Sequence, residues 1–393
     1  MKKIIAMLLG ATMMISCGGN KTEQGDNTIK IGGMGPLTGS AAMYGTTIEK
    51  GAKLAFEEIN NNGGVLGKHL EYISLDEKAD PIEAVNAYNK LVDEGVSAII
   101  GSVTSKPTLA VAELAAQDGM PMITPTGTQI NITDAGPNVF RVCFTDPYQG
   151  STLAKFAKDK LGAQTAAVMV NTSSDYSDGI AKAFIEQAQK EGIEIVAKEG
   201  YSDGDKDFKA QLTKINGEKP DVLMVPEYYE LSALIATQAR EIGMESTFVG
   251  PDGWDGIIGT LDPSSYSVVD NSYFTNHYSA EDNSEKVQSF LKKYREKYNE
   301  EPTAFSALAY DTVYVLKNAI EKAGTTDKAE LVKAIKASDM DGITGHLTFD
   351  EKNNPIKAVT IIKVENGKYI FDSVVETKWV LWYNIKEFYI IIL

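Results

Sequence analysis

Short apolar runs alternate with amphipathic segments along most of the chain. The apolar runs predict buried strands at residues 29–33, 70–75, 98–100, 120–123, 166–170, 194–199, 221–225 and 247–249. The segments between them repeat apolar residues every three to four positions and predict helices at residues 47–60, 81–94, 107–117, 147–161, 179–191, 208–215 and 231–242. Strands that alternate with helices indicate a doubly wound, mostly parallel sheet. Because the alternation restarts after Arg141, the sequence predicts two such units.

The pattern changes after residue 273. Helices are predicted at residues 284–298, 304–323 and 327–337, and strands at 347–350, 356–364 and 368–375. A helical block without a sheet of its own has to cover an existing sheet. We therefore expect it to pack on the first unit, so that the chain crosses between the units more than once.

Hydroxyl side chains follow two neighbouring predicted strands, in the stretch 98–128. The first loop holds Ser102, Thr104 and Ser105, with Ser105 as a candidate helix N-cap, and the second reads TPTGT at residues 124–128. In a parallel sheet both loops lie at the carboxyl edge, where ligands bind. Hydroxyls and a helix N-terminus together suit a small carboxylate. The alternative is that these side chains only cap turns, and the spacing leaves both interpretations open.

Composition excludes several classes of function. The chain has 393 residues, is 43% hydrophobic and carries a formal net charge of −16, which suits two domains and disfavours a nucleic-acid partner. It has 2 Cys and 3 His, scattered without the spacing of a metal site or a disulfide framework. We find no phosphate-binding glycine loop and no triad, so the sequence predicts no metal, no cofactor and no enzyme.

The amino terminus predicts export. Lys2 and Lys3 precede an apolar stretch at residues 4–15, too short for a membrane span, so residues 1–16 are interpreted as a signal peptide. The end of the signal, MISC, resembles a bacterial lipobox, which implies that Cys17 is lipidated and that residues 17–27 form a tether. The predicted location is the cell envelope, in the periplasm or at the outer face of the cytoplasmic membrane. Ordinary secretory cleavage is the alternative.

Several motifs in combination resemble one family. GPLTGSAAMYG, INNNGGVLGKHL, AIIGSVTS, PMITPTGT, FVGPDGWD and DGITGHLTFDEKNNP are similar to segments of the periplasmic substrate-binding proteins of ABC importers, in the leucine/isoleucine/valine-binding group. The resemblance implies an α/β fold of periplasmic-binding-protein type I. In that fold two lobes, each a doubly wound, mostly parallel sheet flanked by helices, close like a clamp about three hinge crossovers.

The resemblance also implies a division of the chain. Lobe 1 comprises residues 27–142 plus 277–345, and lobe 2 comprises 145–275 plus 347–376, with hinges near 141–145, 275–277 and 345–347. Residues 377–393, which are aromatic and apolar, do not resemble the family.

Site residues carried over from the family lie on both lobes. Ser105, Thr126 (through its backbone) and Thr128 are expected to donate to the α-carboxylate of an amino acid, and Asp252 to accept from the α-ammonium. Asp252 in the PDG sequence is alternatively a turn former. Aromatic wall positions fall at Tyr44, Tyr176, Tyr228 and Tyr310, for which core packing is the alternative.

The implied function is capture of a free amino acid, branched-chain or small and apolar, by a monomer that delivers it to an ABC permease. Lys106 beside the site leaves an acidic amino acid open, although long charged side chains usually point outward. Two further interpretations stay open: a small amide or urea as the ligand, and a role as the ligand-sensing partner of a membrane receptor. Asp252 disfavours the amide, which has no ammonium.

Overall fold

A computed structural model describes residues 27–375 of the chain. The predictions for the signal peptide, for Cys17 and for residues 377–393 therefore lie outside the described residues.

The strands and helices follow the predicted alternation. The strands are β1 Thr28–Gly35, β2 His69–Asp76, β3 Ala98–Ile100, β4 Met122–Thr124, β5 Val139–Arg141, β6 Thr165–Asn171, β7 Glu194–Tyr201, β8 Val222–Met224, β9 Thr247–Gly250, β10 Ser272–Asn276, β11 Asp339–Gly342, β12 Gly345–Thr348, β13 Val359–Glu365 and β14 Lys368–Val375. The α-helices are α1 Ala42–Asn61, α2 Pro81–Asp93, α3 Ser105–Asp118, α4 Asp146–Asp159, α5 Asp175–Lys190, α6 Lys209–Glu218, α7 Tyr229–Glu241, α8 Glu285–Tyr298, α9 Ala304–Ala323 and α10 Lys328–Lys336. Short 3-10 helices lie at Ile130–Ala135, Asp252–Trp254, Ile257–Thr260 and Pro263–Val269.

Two sheets organise these elements. The first has five parallel strands in the order β2-β1-β3-β4-β5. The second has seven strands in the order β14-β13-β10-β9-β8-β6-β7, in which β13 runs antiparallel to both β10 and β14. A separate hairpin pairs β11 with β12. The α/β class and the mostly parallel sheets are as the sequence predicted.

The late helices return to the first unit, as expected. Helix α9 lies against α1 so closely that a Cβ added at Gly51 would lie 2.1 Å from the Ser306 carbonyl oxygen. The absence of a side chain at residue 51 therefore permits this helix pair, which brings the carboxyl-terminal half of the chain back over the first sheet.

Local residues set the ends of two helices, and one predicted helix cap is wrong. Asp80 caps α2 by accepting from the N–H groups of Ile82 and Glu83, and Gly119 ends α3 in the left-handed region at φ 61°. Ser105 is not the N-cap of α3. Thr104, with an extended backbone, holds that position, so Ser105 becomes the first helical residue.

The third crossover lies later than predicted. Strand β12 pairs with β11 instead of joining the second sheet, and the residues after it contact the first sheet. Asn353 donates to the Val139 carbonyl at 3.0 Å and accepts from the Arg141 N–H at 3.3 Å. The assignment of residues 347–355 to lobe 2 is therefore wrong, and the chain crosses between residue 354 and β13.

Two short strands next to the first and second crossovers were missed. β5 and β10 are three and five residues long. Turn residues precede both of them, at 136–138 and 270–271, so a local signal for each strand was present. None of the helices within residues 27–375 combines the length and apolar character that a membrane crossing requires.

Candidate functional site

Asp252 lies at the centre of a buried polar cluster between the two sheets. It begins the 3-10 helix that follows β9, and it is 2% exposed. Its Oδ1 accepts from the Tyr176 hydroxyl at 2.8 Å, and its Oδ2 lies 3.3 Å from His277 Nε2. Its backbone N–H donates to Gln149 Oε1 at 2.8 Å. These contacts hold the carboxylate in one orientation.

His277 does not neutralise this carboxylate. Burial lowers the pKa of His277 to about 4, although Asp252 partly offsets the effect, so the imidazole is neutral near pH 7. Among residues 27–375, no lysine or arginine forms an ion pair with Asp252. A buried carboxylate without a cation is unfavourable, so the site is suited to a cationic ligand group.

A second buried carboxyl, that of Asp146, lies at the start of α4. Burial raises the pKa of Asp146 well above its ordinary value, and the nearby Thr128 hydroxyl, outside good hydrogen-bond geometry, only partly offsets this. Arg141 is close, but its guanidinium donates to the carbonyls of Gly127 at 2.8 Å and Ile130 at 3.1 Å. The cluster thus holds two acidic side chains and no dedicated counter-ion among the described residues.

Aromatic side chains join the two halves of the molecule here. The Tyr44 hydroxyl of α1 donates to the Gly253 carbonyl and accepts from the Tyr229 N–H at 3.2 Å. Tyr228 stacks on Tyr176 with ring centroids 4.7 Å apart and meets Tyr44 edge-on at 5.5 Å. The Ser105 backbone lies near the Tyr228 hydroxyl. The tyrosines form a wall that spans both sheets.

The two hydroxyl-rich loops of the first sheet are tied to each other. Thr126 donates through Oγ1 to the Val103 carbonyl at 2.8 Å, and Thr124 donates to the Ser102 carbonyl at 2.7 Å. Because the Thr126 hydroxyl is engaged, only its backbone is left for a ligand, as the resemblance implies. Ser105 and Thr128 are both buried.

A buried glutamate supports the first loop from behind. The Ser102 hydroxyl donates to Glu77 Oε1 at 2.8 Å. Burial raises the pKa of Glu77 to about 7, and its hydrogen bonds only partly lower it. The loop therefore rests on a carboxyl that titrates near neutral pH.

Tyr310 is the exception among the predicted site residues. Its hydroxyl donates to Glu58 on α1 at 2.8 Å, and its ring packs on Phe290 and Tyr314. The aromatic residue of α9 that reaches Tyr44 is Phe305, at 4.5 Å between ring centroids. The assignment of Tyr310 to the aromatic wall is corrected accordingly, while the other seven predicted residues come together.

Sequence reasoning missed three members of the cluster, namely Asp146, Gln149 and His277. Asp146 precedes Pro147 and has the pattern of an ordinary helix start, and His277 falls at a predicted hinge without a partner nearby in sequence. The signal in the sequence that could have identified these three residues was their position close to the predicted crossovers. Within residues 27–375 no group of three or more His, Cys, Asp or Glu side chains has the arrangement of a metal site.

Comparison with known proteins gives a consistent result. The sequence profile of the family described as "Periplasmic binding protein" matches residues 28–368. The "Leucine-, isoleucine-, valine-, threonine-, and alanine-binding protein" of Pseudomonas aeruginosa is 32% identical over 335 residues, which cover 84% of this chain and 87% of that protein. The "Leu/Ile/Val-binding protein BraC3" of Rhizobium johnstonii is 33% identical, covering 87% and 93%.

Solved structures of substrate-binding proteins are also similar to this chain. The branched-chain amino acid transporter substrate-binding protein LivJ from Streptococcus pneumoniae, in complex with isoleucine, superposes with a TM-score of 0.84 at 37% identity, covering 89% of this chain and 100% of that one. The leucine-binding protein LivK from Thermotoga maritima superposes with a TM-score of 0.82 at 35% identity, covering 88% and 99%.

Proposed function

We propose, since the chain belongs to the periplasmic binding protein family, that it captures a free apolar or small α-amino acid between its two sheets. As a monomer it then delivers the amino acid to an ABC-type permease. The observation that carries the proposal is the buried Asp252 carboxylate, which is oriented by Tyr176 and lacks a cationic partner among residues 27–375.

The two walls of the cleft complement the two charges of an amino acid. The α-ammonium pairs with Asp252, because bringing a cation to a buried carboxylate relieves its desolvation. The α-carboxylate accepts from Ser105, from Thr128 and from the backbone at Thr126, beside the N-terminus of α3. Neither wall on its own offers both charges.

The surroundings favour an apolar side chain. The cleft is lined by the rings of Tyr44, Tyr228 and Phe305. Lys106 is exposed, so it points to solvent and not to the side chain of a bound amino acid. The names of the relatives from Pseudomonas aeruginosa and Rhizobium johnstonii include leucine, isoleucine and valine, which supports the same class of ligand.

Different ligands and roles fit the site less well. An amide or urea leaves the Asp252 charge uncompensated, which is unfavourable at a buried site. A sensory role uses the same clamp together with a separate membrane receptor. Binding of the protein to such a receptor instead of to a permease would favour this role. A binding role, not an enzymatic one, agrees with the family.

The protein acts outside the cytoplasm, as its periplasmic relatives do, and we place a lipid anchor at Cys17. A diacyl anchor holds a protein stably at a membrane, whereas a single chain does so only marginally. Cys17→Ser is expected to move the protein from the membrane fraction to the soluble fraction. Retention of the variant in membranes would contradict a lipid anchor at Cys17.

A thermal-shift screen tests the ligand. The twenty amino acids, several small amides and urea are each added to the protein, and a ligand at a hundredfold excess over its dissociation constant stabilises by about 2.7 kcal/mol. We expect leucine, isoleucine, valine or alanine to raise the melting temperature. A shift with glutamate or an amide alone would overturn the ligand class without changing the fold.

A further inference from the structure

The loop after β9 contacts the first unit through two residues that follow the proposed ammonium acceptor. Asp255 and Gly256 lie three and four residues after Asp252 on this loop of the second unit. Asp255 is 3% exposed, and its Oδ2 accepts from the Ala304 N–H at 2.8 Å. Because Ala304 begins α9, which packs on α1, this hydrogen bond joins the two units directly.

The start of α9 is a favourable place for a carboxylate, because a helix N-terminus carries a partial positive charge. Thr303 caps the helix from within the first unit by accepting from the Ser306 N–H at 3.4 Å, which leaves the N–H of Ala304 to Asp255. The Asn276 side chain, at the end of β10, adds a longer contact of 3.5 Å to the same oxygen. Burial raises the pKa of Asp255 to about 6, so the carboxyl is ionised at pH 7.5.

Tyr229 and Met43 form a second contact between the units. Tyr229, at the start of α7, donates through its hydroxyl to the Ser40 carbonyl at 2.7 Å. Met43, on α1, lies so close to Gly256 that a Cβ at residue 256 would overlap its terminal methyl group. Gly256 has a φ of 106°, so its backbone conformation also favours glycine.

These contacts depend on how the two units sit against each other. Ser40 and Ala304 belong to the first unit, whereas Tyr229 and Asp255 belong to the second, so a rotation that opens the cleft separates both pairs. The hydrogen bonds and the packing on Gly256 therefore stabilise the closed arrangement and not the open one. Residues other than those proposed to hold the amino acid supply this stabilisation.

We propose that Asp255, together with Tyr229 and Met43, forms a latch by which the chain itself holds the two units closed. Asp255 is a positioning residue, since it contacts the first unit and seats the loop that carries Asp252 against it. The closure of the units stands apart from the identity of the ligand. The effect of the latch on ligand retention rests on the proposed amino-acid function.

Small-angle X-ray scattering of the full chain without added ligand, at pH 7.5, tests the latch. Asp255→Ala removes the hydrogen bond to Ala304, so we expect more open molecules and a larger radius of gyration than in the parent. Asp159→Ala, at an exposed position of α4 in the second unit, is the matched control and should keep the parental radius. The same radius in the parent and in Asp255→Ala would overturn the proposal.

A second variant keeps this test decisive if thermal melting shows that Asp255→Ala does not fold. Tyr229→Phe keeps the ring and loses only the hydrogen bond to Ser40. It should shift the radius of gyration in the same direction as Asp255→Ala, by a smaller amount. A parental radius in Tyr229→Phe, with Asp255→Ala unfolded, would likewise refute the latch.

The kinetics of leucine binding, measured by stopped-flow fluorescence, separate a latch from a purely structural role. Because a hydrogen bond to a charged group is worth about tenfold or more in an equilibrium, leucine should leave Asp255→Ala about tenfold faster than the parent. The association rate should stay within about twofold, since a latch acts after the encounter. Asp255→Asn keeps an acceptor for Ala304 without the charge and should lie between the two.

A parental dissociation rate in Asp255→Ala, or a change confined to association, would overturn the effect on retention. If the parent does not bind leucine at all, the amino-acid function fails for this ligand, whereas the scattering of the ligand-free proteins still decides the latch.

Discussion

The two walls of the cleft differ in how their polar groups are employed. On the wall of the first sheet, Thr124 and Thr126 bond to backbone carbonyls of the neighbouring loop, and Ser102 bonds to Glu77. On the wall of the second sheet, Tyr176 and His277 contact the Asp252 carboxylate without neutralising it. The first wall therefore presents fixed dipoles without charge, and the second presents a fixed charge. This difference indicates that the second wall contributes most of the affinity, while the first fixes the position of the ligand.

The largest expected effect is that of Asp252→Asn. Loss of the partner of a desolvated ammonium weakens binding by about 2–5 kcal/mol, measured by titration calorimetry with the amino acid found in the thermal-shift screen. Glu230→Gln, at an exposed position beside the same wall, is the control and is expected to bind as the parent does. Parental affinity in Asp252→Asn would remove this residue from the site and undo the contrast between the walls.

The next effect concerns stability and belongs to the first wall. Burial raises the pKa of Glu77 from 4.5 to about 7, so between these pH values the folded state keeps a proton that the unfolded state has lost. The free energy of unfolding therefore falls by about 3 kcal/mol as the pH rises from 4.5 to 7, and this contribution is constant above pH 7.

Glu77→Gln is expected to remove that part of the pH dependence, as measured by urea unfolding at pH 4.5 and 7.5. Glu113→Gln, an exposed change on α3, should keep the parental difference. If the free energy of unfolding changes equally in the two variants between pH 4.5 and 7.5, Glu77 does not titrate as described.

Ser105→Ala tests whether the dipoles of the first wall reach the ligand. A hydrogen bond to a charged group contributes about 1.5–3 kcal/mol, so binding should weaken roughly tenfold to a hundredfold. Ser284→Ala is the matched control, because Ser284 also lies at a helix start and makes no side-chain cap bond. An affinity within twofold of the parent would mean that Ser105 serves only the helix start.

The smallest effect is expected for Tyr310→Phe, which should leave amino-acid affinity unchanged because its hydroxyl bonds to Glu58 on α1. Tyr176→Phe is the counterpart within the cleft. It loses the hydrogen bond to Asp252 and should weaken binding by about 1.5–3 kcal/mol. Equal losses of amino-acid affinity in Tyr310→Phe and Tyr176→Phe, measured by the same calorimetry, would show that Tyr310 belongs to the site.

Site residues that directly follow a buried strand were predicted well. The loop after β9 places Asp252 directly behind a buried strand, and the hydroxyl loops follow β3 and β4. Because parallel strands end at a common edge, such residues converge whatever the rest of the chain does. Tyr310 failed for a related reason. It lies five residues after Phe305 on α9, and at about 100° per residue the two side chains point about 140° apart.

The sequence by itself determined the α/β class, the two units, the return of the late helices and the donor and acceptor loops, since strand and helix periodicity and loop position are local properties. Only the tertiary structure decided where the third crossover lies, because the strand pattern at residues 347–350 does not specify its partner. It alone also brought Asp146, Gln149 and His277 to Asp252, and it left the His277 Nδ1 buried without a donor among the described residues. These residues come from separate segments of the chain, and burial next to one another, which no local pattern encodes, gives them their charge states and their partners.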